Sequence, residues 1–309
     1  MKVYKERQFC EPILEVLVGL PASGKSTYAE RRKKEGWVVC SSDTVRAELY
    51  GDENVQGDGG KVFKVLHDRI KENILLGNNV VYDATNLQTK RRRSFLNEME
   101  HYMCKKAAVV FLTPYRTCLE NNRNRERKVP DRVIKGMYEG FTPVHYGEGW
   151  DDVVFETSMF SSTHILDVAH LMNGFNQENH HHSLSLIDHC NKTGCYIRDR
   201  HGDCLLTKVA FIHDYGKLYT KTYDEHGEAH YYGHENVGAY ELPFILNSDN
   251  LIHLTVDEVL YAQNLVYLHM KPFGAWQQSE RAYRKDVNVY GQELIDDVMK
   301  LHEADRSAH

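Results

Sequence analysis

The chain has 309 residues, 41% of them apolar, and a net charge of −6; it is long for one core, comfortable for two domains, and too apolar for a disordered chain. The acidic balance excludes general electrostatic attraction to nucleic acid and confines polyanion binding to local basic patches, with Lys90–Arg93 and the arginines from Arg123 to Arg127 as candidates. Seven cysteines without a Cys-x-x-Cys pair argue against a disulfide framework, and with no apolar signal segment or transmembrane-length stretch a soluble, cytoplasmic protein is expected.

In chain order, Ile13 to Val18 (ILEVLV) reads as a short buried strand. The next residues, Gly19-Leu-Pro-Ala-Ser23-Gly24-Lys25-Ser26-Thr27, fit the phosphate loop Gly-x4-Gly-Lys-Ser/Thr, and Ser26 to Lys34 reads as a charged helix. In that setting the glycines let backbone N–H groups turn inward around a triphosphate at the positive end of the helix. Lys25 then reaches the β- and γ-phosphates, and the Ser26 hydroxyl can take a place on Mg²⁺. ATP or another nucleoside triphosphate with Mg²⁺ is therefore expected on Gly19, Ser23, Gly24, Lys25, Ser26 and Thr27.

Further strand-like runs follow at Trp37–Cys40, Asn79–Tyr82, Ala107–Leu112 and Asp152–Phe155. Helix-compatible spacing over Gly60–Leu76 and Lys90–Met103 lies between them, so an α/β domain over residues 1–160, with a parallel sheet flanked by helices, is expected. From about Thr163 the texture changes. β-branched runs become scarce, and thirteen of the eighteen histidines lie at or after residue 180. Helical windows at Lys208–Thr220, His234–Leu246, Val256–His269 and Gln292–His302 predict an all-α domain over residues 161–309.

A phosphate loop names no acceptor, but polar clusters end several strands. Asp43, in Ser42-Asp43-Thr-Val-Arg46, can take the proton of an attacking hydroxyl, with Arg46 holding a phosphate or steering that carboxylate. It can equally cap a helix starting at Thr44. The third strand runs into Asp83-Ala-Thr85-Asn86. In Arg123-Asn-Arg125-Glu-Arg127-Lys-Val-Pro130, arginines at every second position cannot share one helical face, so some can fold over the nucleotide as a lid. A solvated charge run is the plain alternative.

Taken together, these motifs and Met137-Tyr138 resemble the polynucleotide 5′-kinase family of RNA repair over about residues 13–158. The resemblance implies Asp43 as general base on a 5′-hydroxyl and Arg46 on the acceptor's terminal phosphodiester. It implies Thr85, with Asn86 beside it, at the acceptor and Arg123 and Arg127 as lid arginines, with Arg125 able to replace either.

In the second half, Val209-Ala-Phe-Ile-His213-Asp214 suits a buried helix bringing two ligands to one metal, and imidazole with carboxylate suits Mn²⁺, Fe²⁺, Ni²⁺, Co²⁺ or Zn²⁺. Lys217, three residues after Asp214, can meet an anionic substrate at the same place. Clustered histidines stand upstream at His180–His182 and His189, with His234, His269 and Asp305 downstream. This order resembles the HD metal-dependent phosphohydrolase superfamily over about residues 176–309. The resemblance implies His189, His213, Asp214 and Asp305 as metal ligands, His189 being preferred because it ends a helical run. It also implies His234 and His269 as second-metal or phosphate contacts, and removal of a phosphoester by a metal-activated water.

The two halves together predict an RNA end-healing enzyme of a bacterial or phage-infected cell. It would act on RNA or DNA bearing a 5′-hydroxyl and a 2′,3′-cyclic phosphate, phosphorylating the first and removing the second or a 2′/3′-monoester. Sealing falls to a separate ligase, since no Lys-x-Asp-Gly motif is present. No membrane contact is expected, and a homo-oligomer is compatible with the kinase family. The alternatives are a small-molecule nucleoside or nucleotide kinase joined to an HD nucleotidase or cyclic-nucleotide phosphodiesterase, and a non-catalytic nucleotide-responsive regulator.

Overall fold

The computed structural model describes residues 11–157, 165–178, 184–202, 204–246 and 254–308; His180–His182 lie outside them. Five strands form one parallel sheet in the order β2-β3-β1-β4-β5. These are β1 (Ile13–Val18), β2 (Val38–Ser41), β3 (Val80–Asp83), β4 (Lys105–Leu112) and β5 (Asp152–Thr157). In the three middle strands the buried positions are apolar on both faces except for Glu15, which accepts from Tyr28 and Arg32, as a sheet covered twice requires. Helices α1 (Lys25–Lys34), α2 (Ser42–Tyr50), α3 (Gly59–Leu75), α4 (Thr89–Glu98), α5 (Tyr115–Asn124) and α6 (Asp131–Glu139) connect them. Their apolar stripes, such as Val62, Leu66, Ile70 and Ile74 of α3, bury against the sheet. β1 is central, so the loop after it opens at the middle of the sheet's carboxyl edge, where such sheets bind ligands.

The second half is helical: α7 (Ile165–Asn173), α8 (Leu186–His201), α9 (Leu205–Ala210), α10 (Lys217–Thr220), α11 (His234–Leu246), α12 (Val256–Leu268), α13 (Ala275–Gln278), α14 (Glu280–Tyr290) and α15 (Gln292–Ser307). It is not purely α. An antiparallel pair, β6 (Thr222–Tyr223) and β7 (Ala229–His230), interrupts it. The expected helix over Lys208–Thr220 is also broken, since residues 211–216 form a turn between α9 and α10. Gly216 gives the reason: a Cβ there would lie 2.0 Å from the His234 carbonyl oxygen, so the chain must press its backbone onto the start of α11.

The two halves are packed together. Val237, Tyr240, Phe244 and Leu260 of α11 and α12 join the same apolar cluster as the inner faces of β1, β3 and β4. Asn264 Nδ2 of α12 donates to the Val144 carbonyl at 3.0 Å.

Two candidate functional sites

The phosphate loop is built as its sequence demands. Gly24 takes φ 103° and Ala22 φ 62°, left-handed values that turn successive N–H groups to one side. Gly19 N–H donates to the Thr85 carbonyl at 3.0 Å, and Thr113 Oγ1 donates to the Ser23 carbonyl at 2.9 Å. These bonds tie the loop to the ends of β3 and β4. Lys25 is buried and folds back onto the Gly19 carbonyl at 3.0 Å. Burial lowers its pKa to about 8, against the pull of Asp83. Ser26 and Thr27 open α1 and are exposed.

Asp43 is not the helix cap. Ser41 caps α2, its Oγ accepting from the Asp43 N–H at 3.3 Å, which leaves the Asp43 carboxylate for other partners. Those partners are Arg46 Nη1 at 2.8 Å and Arg127 Nη1 in a very close ion pair. Arg46 Nε is buried without a hydrogen-bond partner. Arg127 also bonds Asn54 Oδ1 at 3.1 Å and the Glu53 carbonyl at 3.2 Å, drawing the α5–α6 connection across the site. Arg125 is held by Asn122 at 3.1 Å; burial, then the neighbouring Arg127, lowers its pKa. Arg123 points elsewhere, into an exposed pair with Asp131 at 3.0 Å. Of the three, Arg127 pairs with the Asp43 carboxylate, whereas Arg125 bonds Asn122 and Arg123 bonds Asp131.

Thr85 and Asn86 line a cleft of about 590 Å³ between α3, α4 and α6, with Phe63, Met137, His67 and Arg91 among its walls. One residue given no role from the sequence stands beside them. Asp83 ends β3 level with Ser41 of β2. Its pKa is raised by burial, against the lowering effect of Lys25. The signal was available: a hydrophobic strand running into a carboxylate at the sheet's carboxyl edge.

Within the basic run at 90–93, the structure takes Arg92 out of the candidate patch, while Lys90 and Arg91 are exposed. Arg92 is fully buried and pairs with the equally buried Glu148 at 2.7 Å. It also donates to the carbonyls of Asn86, Thr142 and Pro143 and to Thr89 Oγ1. It packs α4 and cannot meet a polyanion.

The second site gathers residues from five segments. His189 lies in the opening turns of α8, behind its Ser185 cap, rather than at a helix end. His213 and Asp214 occupy the α9–α10 turn, His234 starts α11, His269 follows α12, and Asp305 lies in the last turn of α15. All six are buried, as is Lys217. Asp305 is kept from fraying by Leu301 and Ala304, buried beside it.

His189 Nε2 lies 2.9 Å from Asp305 Oδ1 and 3.5 Å from Asp214 Oδ2. His213 Nε2 is 3.7 Å from Asp214 and 3.8 Å from Asp305, with no hydrogen bond of its own. On the other Asp214 oxygen converge His234 Nε2 at 3.2 Å and His269 Nε2 at 3.3 Å, themselves 3.2 Å apart. Lys217 Nζ reaches Asp214 Oδ2 at 2.6 Å. His213, His234 and His269 each place Nδ1 against the carbonyl three residues earlier, at Ala210, Tyr231 and Val266. With Nδ1–H donating there, the neutral ring presents the Nε2 lone pair inward, the arrangement of a ligating histidine.

Burial alone would raise the pKa of Asp214, but Lys217 and then His213 hold it well below the usual carboxylate range. Asp305 is likewise held down, against burial, by the neighbouring His189 and His213 rings. Burial opposes charge on His213, yet Asp214 outweighs it and raises the ring's pKa. Two buried carboxylates share the cluster, and Asp214 is paired with the Lys217 ammonium. Two overlapping donor sets, His189–His213–Asp214 and Asp214–His234–His269, share one carboxylate. This donor chemistry fits a divalent transition metal.

Residues 14–144 match the model of the AAA-domain family. A curated relative, the L-seryl-tRNA(Sec) kinase of Methanococcus maripaludis, is 24% identical over 56% of this chain and 69% of its own length. Among solved structures, the Pnkp1/Rnl/Hen1 RNA repair complex is similar with a TM-score of 0.36 and 23% identity, over 43% of this chain and 45% of the matched chain. A gluconokinase from Sinorhizobium meliloti is similar with a TM-score of 0.35 and 15% identity, over 48% and 83%. This chain thus spans less than half of the RNA-repair chain it matches. No helix among the described residues is long and apolar enough to cross a membrane. Residues 14–144, which carry the phosphate loop and match the AAA-domain model, are joined to a helical half with a buried His/Asp cluster.

Proposed function

We propose that the protein heals broken RNA ends, with a 5′-hydroxyl kinase in the sheet half and an HD-type phosphohydrolase in the helical half. The observation that carries the kinase reading is the placement of Asp43 between Arg46 and the lid's Arg127, beside the phosphate loop and the Thr85–Asn86 cleft. In the reaction, the acceptor 5′-oxygen attacks the γ-phosphorus of ATP, the bond to the β,γ-bridging oxygen breaks, and ADP leaves. Asp43 takes the hydroxyl proton, which requires Arg127 to release it and turn to the transferring phosphoryl group. Lys25 meets the β/γ-phosphates, and Ser26, with Asp83 close by, would hold Mg²⁺. Arg46, its Nε unused, would bind the acceptor's first phosphodiester. The relative named for a seryl group carried on tRNA is in keeping with an RNA-borne hydroxyl as acceptor.

In the helical half, His189, His213, Asp214 and Asp305 would hold one metal ion, with His234 and His269 available to a second. Mn²⁺, Fe²⁺, Co²⁺, Ni²⁺ and Zn²⁺ all suit this set. When bound, such an ion supplies Lewis acidity toward a phosphoester. Lys217 stabilises negative charge on the ester's phosphate, and burial keeps bulk water from the cluster. The RNA substrate would carry a 2′,3′-cyclic or monoester phosphate, and a separate RNA ligase would act on the healed ends.

A cleft of about 590 Å³ also suits a single nucleoside, which keeps a nucleoside kinase as the second reading. Transfer of γ-labelled phosphate to uridine, a dinucleotide and a 20-mer RNA separates the two. End healing predicts a steep gain once the acceptor has its first phosphodiester, and loss in Asp43→Ala. Equal transfer to uridine and to the 20-mer contradicts it.

A further inference from the structure

Helix α11 starts at the His/Asp cluster and runs back into the sheet half. His234 is its first residue, and two turns later Tyr240 and Glu241 reach the phosphate loop and the lid. Tyr240 Oη donates to the Thr113 carbonyl at 2.6 Å, and Thr113 Oγ1 in turn donates to the Ser23 carbonyl of the phosphate loop. Glu241 Oε1 accepts from Tyr138 Oη at 2.7 Å, in the last turn of α6. The Tyr138 ring lies flat on Tyr115 in the first turn of α5, with centroids 4.2 Å apart and planes 6° apart, and meets the Tyr240 ring edge-on at 5.2 Å. Asn236 Nδ2 donates to the Phe141 carbonyl just beyond α6, at 2.6 Å.

The α5–α6 hairpin is therefore clasped at its base by α11, while its other end carries Arg125 and Arg127. Its own burial is slight: Cys118 and Asn122 in α5, Ile134 and Tyr138 in α6. So few buried residues do not fix a helix pair by themselves. The Glu241 carboxyl stands among rings and thiol, facing Tyr138 of α6, Arg116 and Cys118 of α5, Tyr240 beside it and Tyr215 and Tyr219 around α10. An apolar residue would fill that place at lower desolvation cost.

We propose that α11 is a working part of the phosphoryl-transfer site, with Glu241 and Tyr240 as positioning residues that hold lid and phosphate loop in register. This rests on the kinase reading of the sheet half. The lid arginines act on charge that grows in the transition state, so a misplaced lid lowers kcat and leaves ATP binding almost unchanged. A displacement near 1 Å is worth about 10²-fold in rate. The helical half is then needed for kinase turnover even where its own His/Asp cluster is idle.

The test compares full-length wild type, Glu241→Ala, Glu241→Gln, Tyr138→Phe and the Tyr138→Phe/Glu241→Ala pair. Steady-state transfer to a 5′-hydroxyl RNA is read alongside hydrogen exchange of residues 122–130 with a non-hydrolysable ATP analogue. Glu241→Ala is expected to lower kcat about 10–100-fold with KM for ATP within about twofold, and to speed lid exchange. Glu241→Gln, which keeps the acceptor oxygen and the fold, should restore most of the rate. The double variant should be no worse than Glu241→Ala alone, because both act through one contact. Unchanged lid exchange, or an unchanged kcat in folded Glu241→Ala, overturns the proposal. Should wild type phosphorylate no 5′-hydroxyl RNA, the kinase reading falls, and the lid exchange still decides whether α11 holds the hairpin.

Discussion

Replacing Arg92 separates two uses of the same basic run. Arg92→Met removes a guanidinium whose side chain is 0% exposed and leaves the equally buried Glu148 carboxylate, among the described residues, with the His145 N–H and Trp150 Nε1–H as donors. It also strips the Arg92 donors from three carbonyls, that of Pro143 in a buried contact and those of Asn86 and Thr142 in part-buried ones. Breaking a buried pair by deleting one partner costs about 3–5 kcal/mol. At roughly 2–4 °C per kcal/mol for a chain of this size, the melting temperature should fall by roughly 6–20 °C. Thermal unfolding by fluorescence measures this, beside RNA binding at several salt concentrations. The salt slope should not change, since Arg92 meets no phosphate; removing a true phosphate contact would lower it by about one. A melting temperature within 2 °C of wild type, with a shallower salt slope, would refute the assignment.

Asp43→Ala should lower phosphoryl transfer by about 10²–10⁴-fold with ATP affinity retained, as for loss of a general base; a tenfold weaker ATP affinity would contradict this. Arg127→Ala should cost about 10³-fold or more and Arg123→Ala only a few-fold, because Arg127 faces Asp43 while Arg123 pairs with Asp131; equal losses refute that choice. Mn²⁺ at a hundredfold over its Kd should stabilise wild type by about 2.7 kcal/mol, and Asp214→Asn should abolish the gain. Glu241 is pushed by burial from 4.5 up to about 7, so the folded state holds its proton where the unfolded chain has lost it. Its contribution is full below pH 4.5 and declines as pH rises to 7, by roughly 3 kcal/mol at most. Glu241→Gln should flatten that part of the stability–pH curve, and an unchanged slope would show that other groups set it.

The phosphate loop was legible because its chemistry fixes residue types at fixed spacing, and strand β1 and helix α11 fall at the expected residues. What escaped depends on contacts remote in sequence. The α5 and α6 helices carry Asn, Arg and Lys over two buried residues each, so periodicity hardly marks them. His213 and Asp214 sit in a turn beside Gly216, which presses on His234 at the start of α11, eighteen residues away in the chain. Arg92 looked like its basic neighbours, since nothing local announces Glu148 fifty-six residues on. The Asp43 alternatives were separated by one atom, the Ser41 hydroxyl that takes the cap. Motifs report the groups that meet ligands, whereas the clasp of α11 on the lid is written only in the packing.

The most direct test of end healing is mass spectrometry of one short RNA bearing a 5′-hydroxyl and a 2′,3′-cyclic phosphate. It would be incubated with protein, ATP, Mg²⁺ and Mn²⁺, beside Asp43→Ala and Asp214→Ala. The prediction is a 5′-phosphate that fails to form only in Asp43→Ala, and a 2′,3′-phosphate that persists only in Asp214→Ala. Both ends unchanged in the wild-type reaction, with phosphate transferred to mononucleosides instead, would contradict it.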